Sequence, residues 1–242
     1  MRVFVEKLFE NEVINVNFNT AVYGFSYMGW EVNYFVKDIP EYLSKDDIVV
    51  GYISTIKRAL IQLGIEPPLE LDYPEELSHY YGRKIWKSNI DYISIHPELY
   101  PVFIKPIKGK QFDGRLVSSF KDLIGTGKKD YSPEIWCAEP VNFISEYRCF
   151  IRYGKIGDMR RYKGDWKIYP NINIIESCLK DFIKQPAGFS MDFGITDDGR
   201  TLLIEINDGF SLGSYGLFYI DYAKLISARW YEMVGIHDKC LF

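Results

Sequence analysis

Hydrophobic positions fall into short blocks whose spacing changes along the chain, and that spacing predicts a mixture of strands and helices. Val3-Phe4-Val5 is a short β-like run, and Ile48-Val49-Val50-Gly51-Tyr52 reads as a buried strand. Ser54-Thr55 follows as an N-cap signal for a helix with Ile56, Leu60 and Leu63 on one face, closed by Gly64 and Pro67-Pro68. Strand, helix, stop is the rhythm of a small α/β lobe. Tyr23 to Val36 is aromatic, β-branched and punctuated by glycine, which favours strands and turns. A second helix is predicted from Pro74, with Glu75 and Glu76 in its first turn and Leu77, Tyr81 and Ile85 at four-residue spacing.

From there the period shortens. Pro101 to Pro106, Leu116-Val117-Ser118 and Ile135 to Ala138 read as strands, and Glu146–Arg152 with Ile156–Tyr162 as a long hairpin turning at Tyr153-Gly154. Residues 173–184 return to helical spacing through Ile175, Cys178, Leu179 and Phe182. The clearest hairpin is Gly188 to Ile195, a turn at Asp197-Asp198-Gly199, then Leu202 to Asn207. An amphipathic helix over 217–234 closes the chain. No repeat, low-complexity tract or flexible linker interrupts the pattern, so the lobes should pack closely.

Composition narrows the class. The chain has 242 residues, 47% hydrophobic and 26% charged, enough to bury a core and too apolar for disorder. No apolar run approaches the roughly 18 residues that span a bilayer. Met1 to Glu6 is too quickly charged for a secretory signal. Cys137, Cys149, Cys178 and Cys240 lack paired spacing, which argues against zinc and disulfides, and three histidines are too few for a His-rich metal centre. These features predict a soluble, reduced, cytoplasmic protein with no membrane partner. Charge is segregated: residues 1–104 carry 9 basic and 15 acidic side chains, 105–167 carry 14 and 8, and 168–242 carry 6 and 10. A basic middle between acidic flanks suggests an anion site followed by carboxylates that could hold cations. The acidic total disfavours a nucleic-acid partner.

Four constellations carry candidate chemistry. On the terminal hairpin, Glu205 and Asn207 are two apart and project from one face, with Asp192 on the partner strand. Three oxygen ligands of this kind suit Mg²⁺, although the same alternation fits a solvent-facing hairpin. Around Lys105, the loop Lys108-Gly109-Lys110 to Arg115 can present N–H groups and charge to phosphate, as can an ordinary Gly-Lys turn; it is not a P-loop. Glu139-Pro140-Val141 breaks a strand and exposes backbone groups able to read an adenine edge, and Glu146 could accept ribose hydroxyls. Arg148, Arg152, Arg160, Arg161 and Lys163 charge the long hairpin, either for phosphate or carboxylate binding or as a salt-bridged sheet face.

The order of these signals resembles the ATP-grasp superfamily. The matching text is Val102-Phe103-Ile104-Lys105-Pro106, Glu139-Pro140-Val141 with Glu146-Tyr147-Arg148, Met159 to Trp166, Met191-Asp192-Phe193-Gly194 and Leu203-Ile204-Glu205-Ile206-Asn207. It covers roughly residues 84–234 and is most similar to the small bacterial and phage carboxylate–amine ligase-like (amidoligase) members. The resemblance implies an α+β chain in which two α+β lobes grip ATP behind a small α/β N-terminal lobe. The corresponding division is 1–83, then 84–242, with a nucleotide-binding lobe about 84–140 and a metal-binding catalytic lobe about 141–242.

The same resemblance implies site residues. Lys105 and Lys110 would contact phosphates, with Lys84 or Lys87 as the earlier basic residue. Glu139, Pro140 and Val141 would flank adenine, and Glu146 would bind ribose. Asp192, Glu205 and Asn207 would hold one or two Mg²⁺, with Mn²⁺ as a substitute. Arg148 with Arg160 or Arg161, together with Lys110, would act on the phosphoryl or acyl group, and Asn173 would stand near the transferring phosphoryl. The implied activity is Mg-dependent amide formation through an acyl phosphate, on small-molecule or peptide carboxylates and amines. A phosphotransferase on the same fold and a non-catalytic nucleotide-binding module are the alternatives, and a homodimer is left open.

Overall fold

A computed structural model describes residues 1–10, 15–108, 111–126 and 132–241. The chain begins with a parallel sheet. Strand β1 (Arg2–Lys7) lies between β2 (Glu31–Val36) and β3 (Ile48–Val50), with helix α1 (Val16–Tyr27) joining the first two and α2 (Ile53–Gln62) following the third. Val3, Val5, Ile48 and Val49 are fully buried, the continuous apolar run that a parallel sheet covered on both faces requires.

The segment after Tyr23 departs from expectation. Residues 16–27 are helical and only 31–36 form a strand. Phe18, Ala21 and Phe25 recur with helical period and are buried, and the Asn15 side chain accepts the Asn17 N–H at the N-terminus. Packing against the C-terminal helix α5 (Tyr219–Val234) outweighs the strand preference of the aromatic residues. Gly24 permits the contact: a Cβ there would lie 2.2 Å from the Tyr219 carbonyl oxygen. Gly24→Ala is therefore expected to destabilise the protein. Overpacking typically costs about 1–3 kcal/mol, and a backbone clash sits at the upper end, whereas alanine gains roughly 1 kcal/mol of helix propensity. A urea midpoint equal to wild type would contradict the close helix contact.

Two antiparallel sheets follow. The first has strands ordered β4 (Ile85–Asn89), β7 (Glu134–Ala138), β5 (Val102–Pro106) and β6 (Arg115–Val117), with the short helix α3 (Ile90–Ile95) against it. The predicted helix from Pro74 is instead a 3-10 turn over Glu75–Tyr80. Gly82, at φ 60°, turns the chain out of that geometry, and Ile85 begins β4. The second sheet is ordered β11 (Thr201–Asp208), β10 (Gly188–Thr196), β8 (Phe143–Arg152), β9 (Lys155–Gly164). Cys149, Ile151, Phe189, Met191, Phe193 and Leu203 fill one of its faces and bury against Ile175, Cys178 and Phe182 of α4 (Ile172–Asp181) and its end. Helix α5 packs on β10 and carries the chain back into the N-terminal core, where the buried Arg229 clamps Asp208 at 2.7 and 2.6 Å. Among the described residues no helix is long and apolar enough to cross a membrane.

Candidate active site

Most apolar residues of the second sheet lie on one face; on the other, beyond the part covered by Phe150 and α5, the sheet presents polar residues. The registers Arg148↔Arg160, Asp192↔Arg148 and Asp192↔Glu205 place Arg160, Arg148, Asp192 and Glu205 in one row across all four strands. Glu146 and Asn207 lie two residues from members of the row, on the same face. Opposite them, Phe103 and Lys105 of β5 face out while Val102 and Ile104 are buried behind. The cleft between the sheets is where the candidate chemistry meets.

Lys105 crosses that cleft. Its Nζ donates to Glu205 Oε2 at 2.6 Å and to Asp72 Oδ1 at 2.6 Å, and it stands 4.6 Å above the Tyr73 ring. The Trp136 indole N–H donates to Asp72 Oδ2 at 3.1 Å. Arg148 binds Asp192 in a fork at 2.8 and 2.7 Å, with the Tyr215 ring 4.6 Å from its guanidinium carbon. The Asn207 amide reaches Asp192 at 3.3 Å and Glu205 at 3.1 Å, which joins the two ion pairs into one network.

Electrostatics divide the carboxylates. Burial pushes Asp192 up to about 6, opposed by Arg148 and reinforced by the negative charges of Glu205 and Glu146. Burial also acts on Glu205, but Lys105 and the Asn207 amide overcome it and hold the carboxyl below its ordinary value. Asp72 is raised by burial, with Lys105 opposing. For Lys105 itself burial disfavours the charge, yet Glu205 and Asp72 keep it protonated well above the usual lysine range.

Two cavities adjoin the network. One, of about 490 Å³, is lined by Lys105, Glu139, Pro140, Val141, Glu146 and Glu205. The Glu146 carboxylate accepts from Lys163 at 2.6 Å. The other, of about 640 Å³, opens toward the N-terminal lobe and is lined by Tyr52, Glu70, Asp72, Arg148, Asn207 and Tyr215 among others, and Glu205 borders both. Tyr162, on the first cavity, stacks on Tyr215, on the second, with centroids 5.1 Å apart.

The structure therefore gathers Lys105, Glu139, Pro140, Val141, Glu146, Arg148, Asp192, Glu205 and Asn207. Other expected residues stand elsewhere. Lys84 and Lys87 lie over Trp86 and Trp136 at 5.4 and 4.9 Å and line a separate depression along edge strand β4. Arg160 forks onto Asp158 at 2.8 and 2.6 Å, and Arg161 donates to the Gly164 carbonyl at 2.5 Å; neither lines either cavity. The Asn173 N–H belongs to the N-terminus of α4, donating to Asn171. Lys110 lies outside the described residues. Asp72, Arg83, Tyr162 and Tyr215 join the site without having been singled out for it, and Lys163, one of the candidate cations of the long hairpin, joins it through Glu146. Arg83, adjacent to Lys84, lines the smaller cavity and donates to the Leu203 and Ile204 carbonyls at 2.9 Å each, which ties the two sheets together.

The donor set suits a hard divalent cation. Two carboxylates and a carboxamide supply oxygen ligands that water and phosphate oxygens can complete. Among the described residues no group of three or more His, Cys, Asp or Glu has metal-holding geometry, so a cation here would draw on two carboxylates and the Asn207 carboxamide. Its amide nitrogen donates to both carboxylates, so ligation through the oxygen would require the amide to turn.

Comparison with known proteins identifies the family and the fold. The family described as ATP-grasp domain, R2K clade family 2 matches residues 80–225, more than half of the chain. No curated protein matches the sequence. Among solved structures, the D-cycloserine synthetase DcsG superposes with a TM-score of 0.59 at 10% identity, covering 95% of this chain and 100% of that one. A RimK domain ATP-grasp protein from Sphaerobacter thermophilus gives 0.58 at 14% identity, covering 93% and 98%. D-alanine–D-alanine ligase from Bacillus anthracis gives 0.56 at 13% identity, covering 97% and 99%. At such identities the likeness establishes the fold, and it is the α+β fold that the order of motifs implied.

Proposed function

The chain belongs to family 2 of the R2K clade of ATP-grasp enzymes, and on that premise we propose that it joins a carboxylate to an amine at the expense of ATP, through an acyl phosphate. The observation that carries the reading is Lys105, bonded across the cleft to Glu205 at 2.6 Å, where a cavity of about 490 Å³ meets one of about 640 Å³. The smaller cavity takes the nucleotide. Backbone groups at Glu139 and Val141 face adenine, Glu146 exchanges Lys163 for ribose hydroxyls, and Lys105 turns to the phosphates. The larger cavity takes the substrates, with the 1–83 lobe as one wall and the lobes 84–140 and 141–242 holding ATP between them.

The substrate carboxylate attacks the γ-phosphorus and ADP leaves. A neutral amine then attacks the acyl carbon, a C–N bond forms, phosphate departs with the C–O electron pair, and the proton lost from nitrogen passes to that phosphate. Asp192, Glu205 and Asn207 would hold Mg²⁺, which supplies neutralisation of phosphoryl charge. Lys105 adds a second positive charge, and Arg148, fixed by Asp192 and Tyr215, faces the oxyanion that develops at the acyl carbon. Positioning and electrostatics suffice, with no covalent nucleophile.

Two measurements test this. Mg·ATP at a hundredfold excess over Kd stabilises a native state by about 2.7 kcal/mol, roughly 5–11 °C in Tm for a chain of this size. Hydroxylamine with each of the twenty amino acids as carboxylate should then yield a hydroxamate together with ADP. A phosphorylated acceptor in place of hydroxamate and free phosphate would identify a phosphotransferase. An unmoved Tm would remove the nucleotide site.

A further inference from the structure

Asp72 sits at the junction of the two cavities because its backbone is fixed there. It has φ 33°, and its carbonyl accepts the Ile206 N–H at 2.9 Å, which pins the segment leaving the N-terminal lobe along the open edge of β11. The carboxylate borders the larger cavity, while its partner Lys105 borders the smaller. One lysine charge is shared by two carboxylates at 2.6 Å each.

Phosphate and Asp72 compete for that ammonium. When a phosphate oxygen draws Lys105 into the nucleotide cavity, the Trp136 N–H is the one remaining donor recorded for the Asp72 side chain among the described residues. A largely buried carboxylate that has lost its cation is strongly unfavourable. The wall of the larger cavity offers no replacement. Its described lining holds one cation, Arg148, already forked onto Asp192, whereas Glu70 and Asp208 are neutralised from behind by Lys57 and Arg229. Short of taking up a proton or sharing the nucleotide's metal ion, Asp72 regains a compensating charge from what enters the cavity.

We propose that the acceptor enters this cavity as a cationic primary amine, that its ammonium group replaces Lys105 on Asp72, and that nucleotide binding is what frees Asp72 to receive it. The term acceptor rests on the ligase reading above; the coupling between nucleotide and amine does not require turnover. Phosphate capture and amine capture thus become one linked equilibrium, and linkage of this kind is reciprocal.

Calorimetry on the full chain with glycinamide, a primary amine lacking a carboxylate, tests the proposal with and without saturating Mg·ADP. Glycinamide should bind at least fivefold more tightly to the nucleotide-loaded protein, and ADP should tighten by the same factor in glycinamide. Asp72→Asn, which tolerates the left-handed backbone, should bring the coupling within twofold of unity, and Asp72→Glu should restore part of it. Glu70→Gln, in the same cavity but paired with Lys57, should leave it unchanged. The wild-type protein labelled with fluorotryptophan is a second readout, independent of variant folding: the Trp136 resonance, assigned through Trp136→Phe, should shift when ADP binds. Coupling near unity in wild type, coupling retained in Asp72→Asn, or an unmoved Trp136 resonance overturns the proposal. Absence of ADP binding overturns it together with the ligase reading. Coupling without any hydroxamate overturns the ligase reading alone and supports the amine site.

Discussion

Glu205→Gln is expected to lower ATP turnover by a factor of about 10²–10³, the usual loss when one preorganised electrostatic group is removed, while Tm stays within a few degrees of wild type. The charge arithmetic around the network explains both halves. Asp72, Glu205 and Asp192 face Lys105 and Arg148, leaving one negative charge in excess, and glutamine at 205 cancels it. A neutral network attracts a divalent cation less and lets Lys105 rest on Asp72 alone. Shape is retained: the glutamine oxygen can accept from Lys105, and the Asn207 amide can turn so that its own oxygen accepts from the new NH2 group. Asp192→Asn also removes an oxygen donor but breaks a buried fork with Arg148, so a loss of activity there would be confounded with a loss of stability. Glu205→Gln is the cleaner experiment. Turnover near the wild-type rate in excess Mg²⁺ would sink the assignment of Glu205 to the metal and phosphate chemistry.

The terminal hairpin was legible because a strand alternates with period two. Met191 and Phe193 bury on one side of β10, and Ile206 on the same side of β11, so Asp192, Glu205 and Asn207 share the other; Leu203, which has the parity of Glu205, reaches the buried side through a register shift between Asp192 and Phe193 that alternation alone does not predict. Lys105 was legible for the same reason, alternating with Ile104 before a proline. Asp72 and Arg83 were not. They lie in connecting segments whose local text, Leu71-Asp72-Tyr73-Pro74 and Gly82-Arg83-Lys84, has no period, and their roles come from a bridge to Ile206 and from carbonyls of β11 more than 100 residues away in sequence. Helix α1 was misread because its aromatic residues suit a strand in isolation. Its helical state depends on α5, which approaches at Gly24 from the other end of the chain.

Arg148→Ala is expected to have the largest effect on stability, and that effect should depend on pH in a determined direction. Asp192 is 2% exposed, and among the described residues Arg148 is its one full-charge partner in bonding distance. Removing one member of a buried pair typically costs about 3–5 kcal/mol, because the other is left uncompensated. In the wild-type protein, free of nucleotide and divalent metal, burial already raises Asp192 from 3.8 to about 6. A raised folded-state value means that the native state binds this proton more tightly than the unfolded chain. The contribution of Asp192 is therefore most favourable below the unfolded value and declines as pH rises through the folded one. Without Arg148 the proton is held more tightly still, and the decline extends above pH 6. The loss of stability caused by Arg148→Ala should thus be smaller at pH 5, where Asp192 can take up its proton, than at pH 8, where it is buried and ionised. Urea midpoints at the two pH values measure this directly. Adding Asp192→Asn to Arg148→Ala should recover part of the pH 8 loss and flatten the dependence, since no buried charge is then left. Equal losses at both pH values would mean that Arg148 stabilises through its packing beneath Tyr215 and not through the Asp192 charge.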